Sequence, residues 1–186
     1  MARIPVIEYE EANGRLLDIY NAIISSRGKL AEIHKIQSLR PESIVKHMDL
    51  YMEIMFSRSD LSRADREMMA VIVSQANQCK YCVSHHSQAL IHYWKKQDKI
   101  VALLSDFNET DLNSRQKALC RFARQLTLQP GNFEDEYETQ LLREVGLSDQ
   151  ALLDASLVVA YFNFVNRIVL SLGVKMTEEE VSGYKY

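Results

Sequence analysis

Glycine and proline are scarce in this chain of 186 residues, six and three respectively, and no stretch alternates apolar and polar residues over strand length. Those shortages exclude a Gly-rich phosphate loop and a nucleotide-binding reading. They also exclude a thioredoxin fold, whose Cys-x-x-Cys follows a β-strand. Basic residues are not in excess: 22 Lys and Arg against 25 Asp and Glu give a formal net charge of −3. With no dense basic stripe, a nucleic-acid surface is not expected. The N-terminus, Met1-Ala-Arg-Ile-Pro-Val-Ile-Glu-Tyr-Glu-Glu11, lacks the apolar core of a signal peptide. Residues 151–172 form the most apolar run. Asp154, Asn163, Asn166 and Arg167 interrupt it, so it is not read as a membrane span. There are three cysteines, and two of them stand as Cys79-x-x-Cys82. That usage fits a reducing, cytoplasmic location and a redox motif better than a disulfide scaffold.

What is present is helical periodicity almost throughout, in an all-α chain read as one domain over residues 1–186. An N-terminal helical part (1–57) precedes a core (58–174) and a short tail (175–186). Expected helices cover 9–26, 29–39, 41–57, a run from Ser62 to Val73, one from Cys79 to Trp94, 98–105, 114–127, 133–144 and 148–172. Gly28, Pro41, Gly146 and Gly173 punctuate them. Ser62 reads as an N-cap with Asp65 reaching back, and Ser114, Asn132 and Ser148 as further caps. Glu178-Glu179-Glu180 reads as a solvated cap. Cys120 reads as a small core hydrophobe, and His92 as a surface residue.

The chemistry concentrates between Glu67 and His86. If Cys79 opens a helix, Cys82 lies at i+3 and His86 at i+7. At about 100° per residue the three share one face. His86 is also i+4 from Cys82, near enough to take or return its proton. His85 points away. A turn through Ala76-Asn77-Gln78 separates Glu67 from this helix, so its position depends on tertiary packing. A free thiol, with a pKa of about 8.5, is only a few per cent thiolate at neutral pH. A helix N-terminus or an imidazolium raises that fraction, while the lowered basicity takes back much of the gain in nucleophilicity. Reducing a peroxide also requires an acid for the departing oxygen and a second thiol to resolve the sulfenic acid. Cys79, Cys82, His86 and Glu67 supply those parts. The physics leaves the attacking cysteine open: the helix N-terminus favours Cys79, the i+4 imidazole Cys82. Two plainer readings compete. The two cysteines and the histidine could be three zinc ligands, but no second cluster offers a fourth. The thiols could also be structural.

The pattern Glu67-x11-Cys79-x2-Cys82-x3-His86 resembles the core of the alkylhydroperoxidase AhpD-like family, within the carboxymuconolactone decarboxylase superfamily. Its flanks resemble the peroxidase-related branch: Leu61-Ser-Arg-Ala-Asp-Arg-Glu67, Ser74-Gln-Ala-Asn-Gln-Cys79, Leu126-Thr127 before Pro130, and Tyr161-Phe-Asn-Phe-Val-Asn-Arg167 with Leu172-Gly173-Val174. The resemblance implies an all-helical bundle assembled as trimers or hexamers and a cysteine-based hydroperoxide reductase. Cys82 would attack the peroxide, Cys79 would be proton donor and resolving thiol, and His86 with Glu67 would relay the proton. It implies no cofactor beyond a Cys79–Cys82 disulfide, no metal, and a thiol or lipoyl-protein reductant. One departure is that the best-studied members have histidine where this chain has Tyr81. Two other functions stay open. A redox sensor or disulfide-exchange protein needs the same dithiol. The superfamily's lactone decarboxylation has no use for one.

Overall fold

The computed structural model describes residues 2–176 and Glu180. Glu178 and Glu179 of the expected acidic cap lie outside the described residues. Among those described, the structure is all-helical: nine α-helices and two short 3-10 turns, without a strand. The helices are α1 (Gly14–Arg27), α2 (Glu32–Lys35), α3 (Pro41–Phe56), α4 (Arg63–Ala76), α5 (Lys80–Trp94), α6 (Gln97–Ser105), α7 (Ser114–Leu128), α8 (Tyr137–Glu144) and α9 (Asp149–Leu172).

The chain forms two compact units, one of residues 1–53 with 167–186, the other of residues 54–166. In the first, Leu16, Ile19, Tyr20 and Ile23 of α1 form an apolar stripe that closes on Ala12 and Ile44. Gly28 ends α1 in the left-handed region at φ 83°, where its N–H reaches Ile24 O. The C-terminal segment belongs to this unit: Arg3 N–H bonds Leu172 O at 2.8 Å. Glu180 is buried rather than solvated, and its carboxylate accepts the Glu32 N–H at the start of α2 at 2.8 Å. An acid does cap a helix here, but from inside the fold.

The second unit is organised on α4, which packs against both α5 and α7. Residues 66–74 of α4 are buried without a break, as its nearly all-apolar sequence requires. Ser62 and Asp65 form the reciprocal cap expected from sequence. Arg66 is buried too. It donates to the carbonyls of Leu61, Ile54 and Ser57 and so closes the segment leading into α4. Cys120 is buried in α7, and burial pushes its thiol up to about 12. Leu119, Phe122 and Ala123 flank it in the core.

Four boundaries depart from the sequence reading, the first being the helix expected over 29–39, which is only the short α2 (Glu32–Lys35). Residues 9–11 are a separate 3-10 turn, and α1 begins at Gly14. Asn113, not Ser114, caps α7, because its side chain accepts the Gln116 N–H. Asn132 falls inside a 3-10 turn (Pro130–Phe133), and α8 starts at Tyr137. α9 is long and apolar enough to cross a membrane by length and composition. Its interrupting polar residues are nevertheless engaged within the protein: Asp154 accepts from Ser59, and Asn163 donates to Thr127 Oγ1 at 3.1 Å.

Candidate functional site

The connection from α4 to α5 builds the site. Asn77 caps the end of α4, after which Gln78 takes φ 57°, a left-handed conformation unusual for a residue with a side chain. The Gln78 N–H then reaches Gln75 O at 2.9 Å, and the Cys79 N–H reaches Ser74 O at 2.8 Å. This paired closure reverses the chain in two residues and sets Cys79 as the cap of α5. Cys82 follows one turn inside, so the expected helix opening and its spacing are both present.

The two sulfurs lie 3.1 Å apart as free thiols, both almost fully buried. At that separation one thiol can donate to the other, and ionising either sulfur opposes ionisation of the second. The Cys79 thiol is held below its ordinary value by donation from Cys82, whose backbone N–H also points at it. The Cys82 thiol is pushed upward by the same hydrogen bond and by burial. In the resting pair, charge therefore sits first on Cys79, the sulfur at the helix N-terminus.

Glu67, which sequence spacing could not place, reaches His86. Its Oε2 lies 2.6 Å from His86 Nδ1, and the carboxylate is completely buried. A carboxylate only accepts, so Nδ1–H donates and the lone pair of a neutral ring is left on Nε2. The other oxygen, Oε1, lies 2.7 Å from Arg63 Nη2, one turn earlier on α4. Arg63 in turn donates to Met55 O at 2.7 Å and lies over the Phe56 ring. Phe162 of α9 sets its ring edge-on to His86, with centroids 4.5 Å apart. The result is a relay in which a guanidinium holds a buried carboxylate and the carboxylate orients an imidazole. That imidazole sits one helical turn from Cys82.

His85 turns away from the sulfurs: its Nδ1 meets Tyr81 O at 2.9 Å and its ring lies against that of Tyr81. Tyr81 is buried in that packing, and His92 is exposed. Among the described residues, no group of three or more His, Cys, Asp or Glu is arranged to hold a metal ion. Arg63, Phe162 and Asn166, which bonds Ser74 and Asn77 of the turn, stood in the motifs that carry the resemblance but were given no role from sequence. Arg63 stands i−4 from Glu67, the spacing of a helical ion pair, within the Leu61–Glu67 motif. Phe162 and Asn166 stood in the Tyr161–Arg167 motif, and Asn166 also as a break in an apolar run, where a buried amide is itself a signal.

The sulfurs of Cys79 and Cys82 are near enough for the two thiols to close to a disulfide on oxidation. Residues 44–125 match the model of the carboxymuconolactone decarboxylase family. The uncharacterized protein YdfG of Bacillus subtilis (strain 168) is 27% identical over 136 residues, which are 73% of this chain and 90% of that protein. Among solved structures, an uncharacterized peroxidase-related protein of Ralstonia eutropha JMP134 with an alkylhydroperoxidase AhpD core is 25% identical. It superposes with a TM-score of 0.85, over 97% of this chain and 94% of that one. The debrominase Bmp8 shares the fold at 20% identity and a TM-score of 0.76, over 95% of this chain and 96% of that one. The chain thus has the all-helical fold of an AhpD core, and its residues 44–125 are similar to the carboxymuconolactone decarboxylase family. That family includes enzymes.

Proposed function

We propose that the chain is a thiol-dependent alkyl hydroperoxide reductase with an antioxidant role in a reducing cytoplasm. The observation that carries this reading is the pair of free sulfurs 3.1 Å apart, one helical turn from an imidazole held by a buried carboxylate. Cys82 loses its proton to Cys79 or to His86. The thiolate attacks the terminal peroxide oxygen, the O–O bond breaks, and the leaving alkoxide takes up a proton as the alcohol. The Cys82 sulfenic acid is then attacked by the Cys79 sulfur, which releases water and forms the Cys79–Cys82 disulfide. One hydroperoxide and two thiols thus become one alcohol, one water and one disulfide. A small-molecule thiol or a lipoyl-bearing protein returns the two electrons. The protein works as a homo-oligomer, and neither a metal nor a further cofactor takes part.

The test is peroxide consumption with excess dithiol. Wild type is expected to turn over many times and Cys82→Ser not at all, with chelator making no difference. Consumption that stops after one equivalent identifies a redox sensor instead. A second reading is supported by the debrominase variant that was solved with 2,3,4-tribromopyrrole. It superposes over 98% of this chain and all of that one, at 19% identity and a TM-score of 0.78. Two thiols can also reduce a carbon–bromine bond, giving a carbon–hydrogen bond, bromide, a proton and a disulfide. Tribromopyrrole in the same assay separates the two. Bromide release without peroxide turnover replaces the first reading by the second.

A further inference from the structure

The turn that delivers Cys79 is held from α9 as well as by its own backbone. Asn166 of α9 is completely buried. Burying a primary amide costs free energy unless its hydrogen bonds are made. Here they are made to the turn: Oδ1 accepts from Asn77 Nδ2 at 3.0 Å, and Nδ2 donates to Ser74 Oγ at 3.2 Å. Asn77 Nδ2 also donates to Asn163 Oδ1 at 3.0 Å, one helical turn earlier on α9. Asn163 is anchored in its turn, because its Nδ2 donates to Thr127 Oγ1 of α7 at 3.1 Å and to Val159 O at 3.0 Å. Thr127 Oγ1 donates to Ala123 O at 2.7 Å. Ser74 is completely buried as well, and its carbonyl accepts the Cys79 N–H at 2.8 Å. Two amides of α9, one of them braced on α7, thus grip Ser74 and Asn77 just ahead of the cysteine.

We propose, building on the dithiol chemistry proposed above, that this clasp is a positioning device for the thiol pair. By fixing the turn, Asn77 and Asn166 hold Cys79 against Cys82 and set how readily the two close to a disulfide. Each amide acts through the backbone of residues 74–79 rather than on a sulfur. Gln78 stands at φ 57° in that segment, and a non-glycine residue keeps such a conformation only where its surroundings over-determine it. A buried polar network whose bonds are made supplies that rigidity. Sulfurs 3.1 Å apart must approach to about 2.05 Å to bond. A turn that is already fixed has lost the conformational entropy that closure would otherwise cost. A loosened turn regains that entropy in the dithiol but not in the disulfide, so loosening it favours the dithiol.

Equilibration with dithiothreitol buffers tests this without any peroxide. Protein dithiol and oxidised dithiothreitol exchange to protein disulfide and reduced dithiothreitol. Asn77→Ala removes the donor of two of the bonds to α9, at a half-buried position whose right-handed backbone alanine adopts without strain. It is expected to lower the equilibrium constant for disulfide formation about tenfold, or about 30 mV toward a more oxidising couple. A clasp that only stabilised the fold would lower the urea midpoint and leave this constant in place, because the equilibrium compares two folded states. An unchanged constant, or a rise, overturns the proposal. Should Asn77→Ala not fold, the wild type carries the test. The buried Asn166 side-chain N–H protons should exchange with solvent as slowly in the disulfide form as in the dithiol form. Faster exchange on oxidation would mean that the clasp opens as the pair closes, and overturns the proposal. A shifted constant in a protein without peroxide turnover counts against the peroxidase reading alone.

Discussion

At the scale of single residues, the candidate site depends on one buried carboxylate with two partners. Glu67 takes Arg63 on one oxygen and His86 on the other, at 2.7 and 2.6 Å. Removing its charge leaves the Arg63 guanidinium without its anion in a mostly buried position, which is costly. It also frees the imidazole to take the other tautomer. Glu67→Gln is therefore expected to lower peroxide turnover about 10- to 100-fold, the range for losing a group that orients a reactive ligand. It should lower the melting temperature as well. Steady-state kinetics beside a thermal melt would check both. Full activity in Glu67→Gln would show that the relay does not serve the thiols. His86→Ala gives the companion measurement: the reactive thiol's apparent pKa should move when the imidazole is lost.

At the scale of elements, the turn between α4 and α5 sets the distances. Gln78 occupies a left-handed position that glycine adopts without the Cβ penalty. Gln78→Gly should then stabilise the protein by about 1 kcal/mol, since the strain of a side chain there is relieved. The entropy of an added glycine in the unfolded chain offsets part of that gain. Urea unfolding measures it, and a loss of stability would mean that the Gln78 side chain holds contacts worth more than the strain. This turn also explains what the sequence could and could not reveal. The i, i+3, i+7 spacing of Cys79, Cys82 and His86 lies within one helix, where geometry follows from counting. Glu67 lies across a chain reversal, and Arg63 is seen only once Glu67 is placed. Asn166 comes from α9, more than eighty residues beyond the cysteines. Long-range partners of this kind leave only an oddity of composition, such as an amide among apolar residues. Helix identities were legible because apolar periodicity is local. The α7 cap slipped by one residue because Asn113 and Ser114 are both good caps, and only Asn113 has Gln116 three residues on.

At the scale of the whole molecule, association and acid stability can both be put to the test. Leu153, Leu157 and Phe164 recur along α9 and are each more than a third exposed. If these exposed side chains help hold the proposed homo-oligomer, light scattering should give a multiple of the 21.5 kDa chain. Leu157→Asp should then dissociate it without loss of helicity. A stable monomer at micromolar concentration overturns the expectation.

Acid stability turns on His47 of α3, a buried histidine that the sequence pattern hid among apolar neighbours. Gln37 Nε2 donates both to Ile33 O at 2.7 Å and to His47 Nδ1 at 2.8 Å. An amide nitrogen has only hydrogens to offer, so Nδ1 must be an acceptor and the ring neutral. Protonation would set two donors face to face, with the His34 ring 5.9 Å away. Burial lowers the His47 pKa to about 4, well under the unfolded value of 6.5. Below pH 6.5 the unfolded chain binds a proton that the folded chain refuses, so stability is complete above that pH and falls as pH drops toward 4. The gap between the two values corresponds to a loss of roughly 3 kcal/mol across that window. Urea midpoints measured from about pH 7.5 to 4.5 should show this loss. Replacing both partners, His47→Phe with Gln37→Leu, should flatten the curve over the acid part of that range, because neither state then takes up a proton at that position. An equally steep curve in the double variant would locate the acid sensitivity in other groups of the molecule.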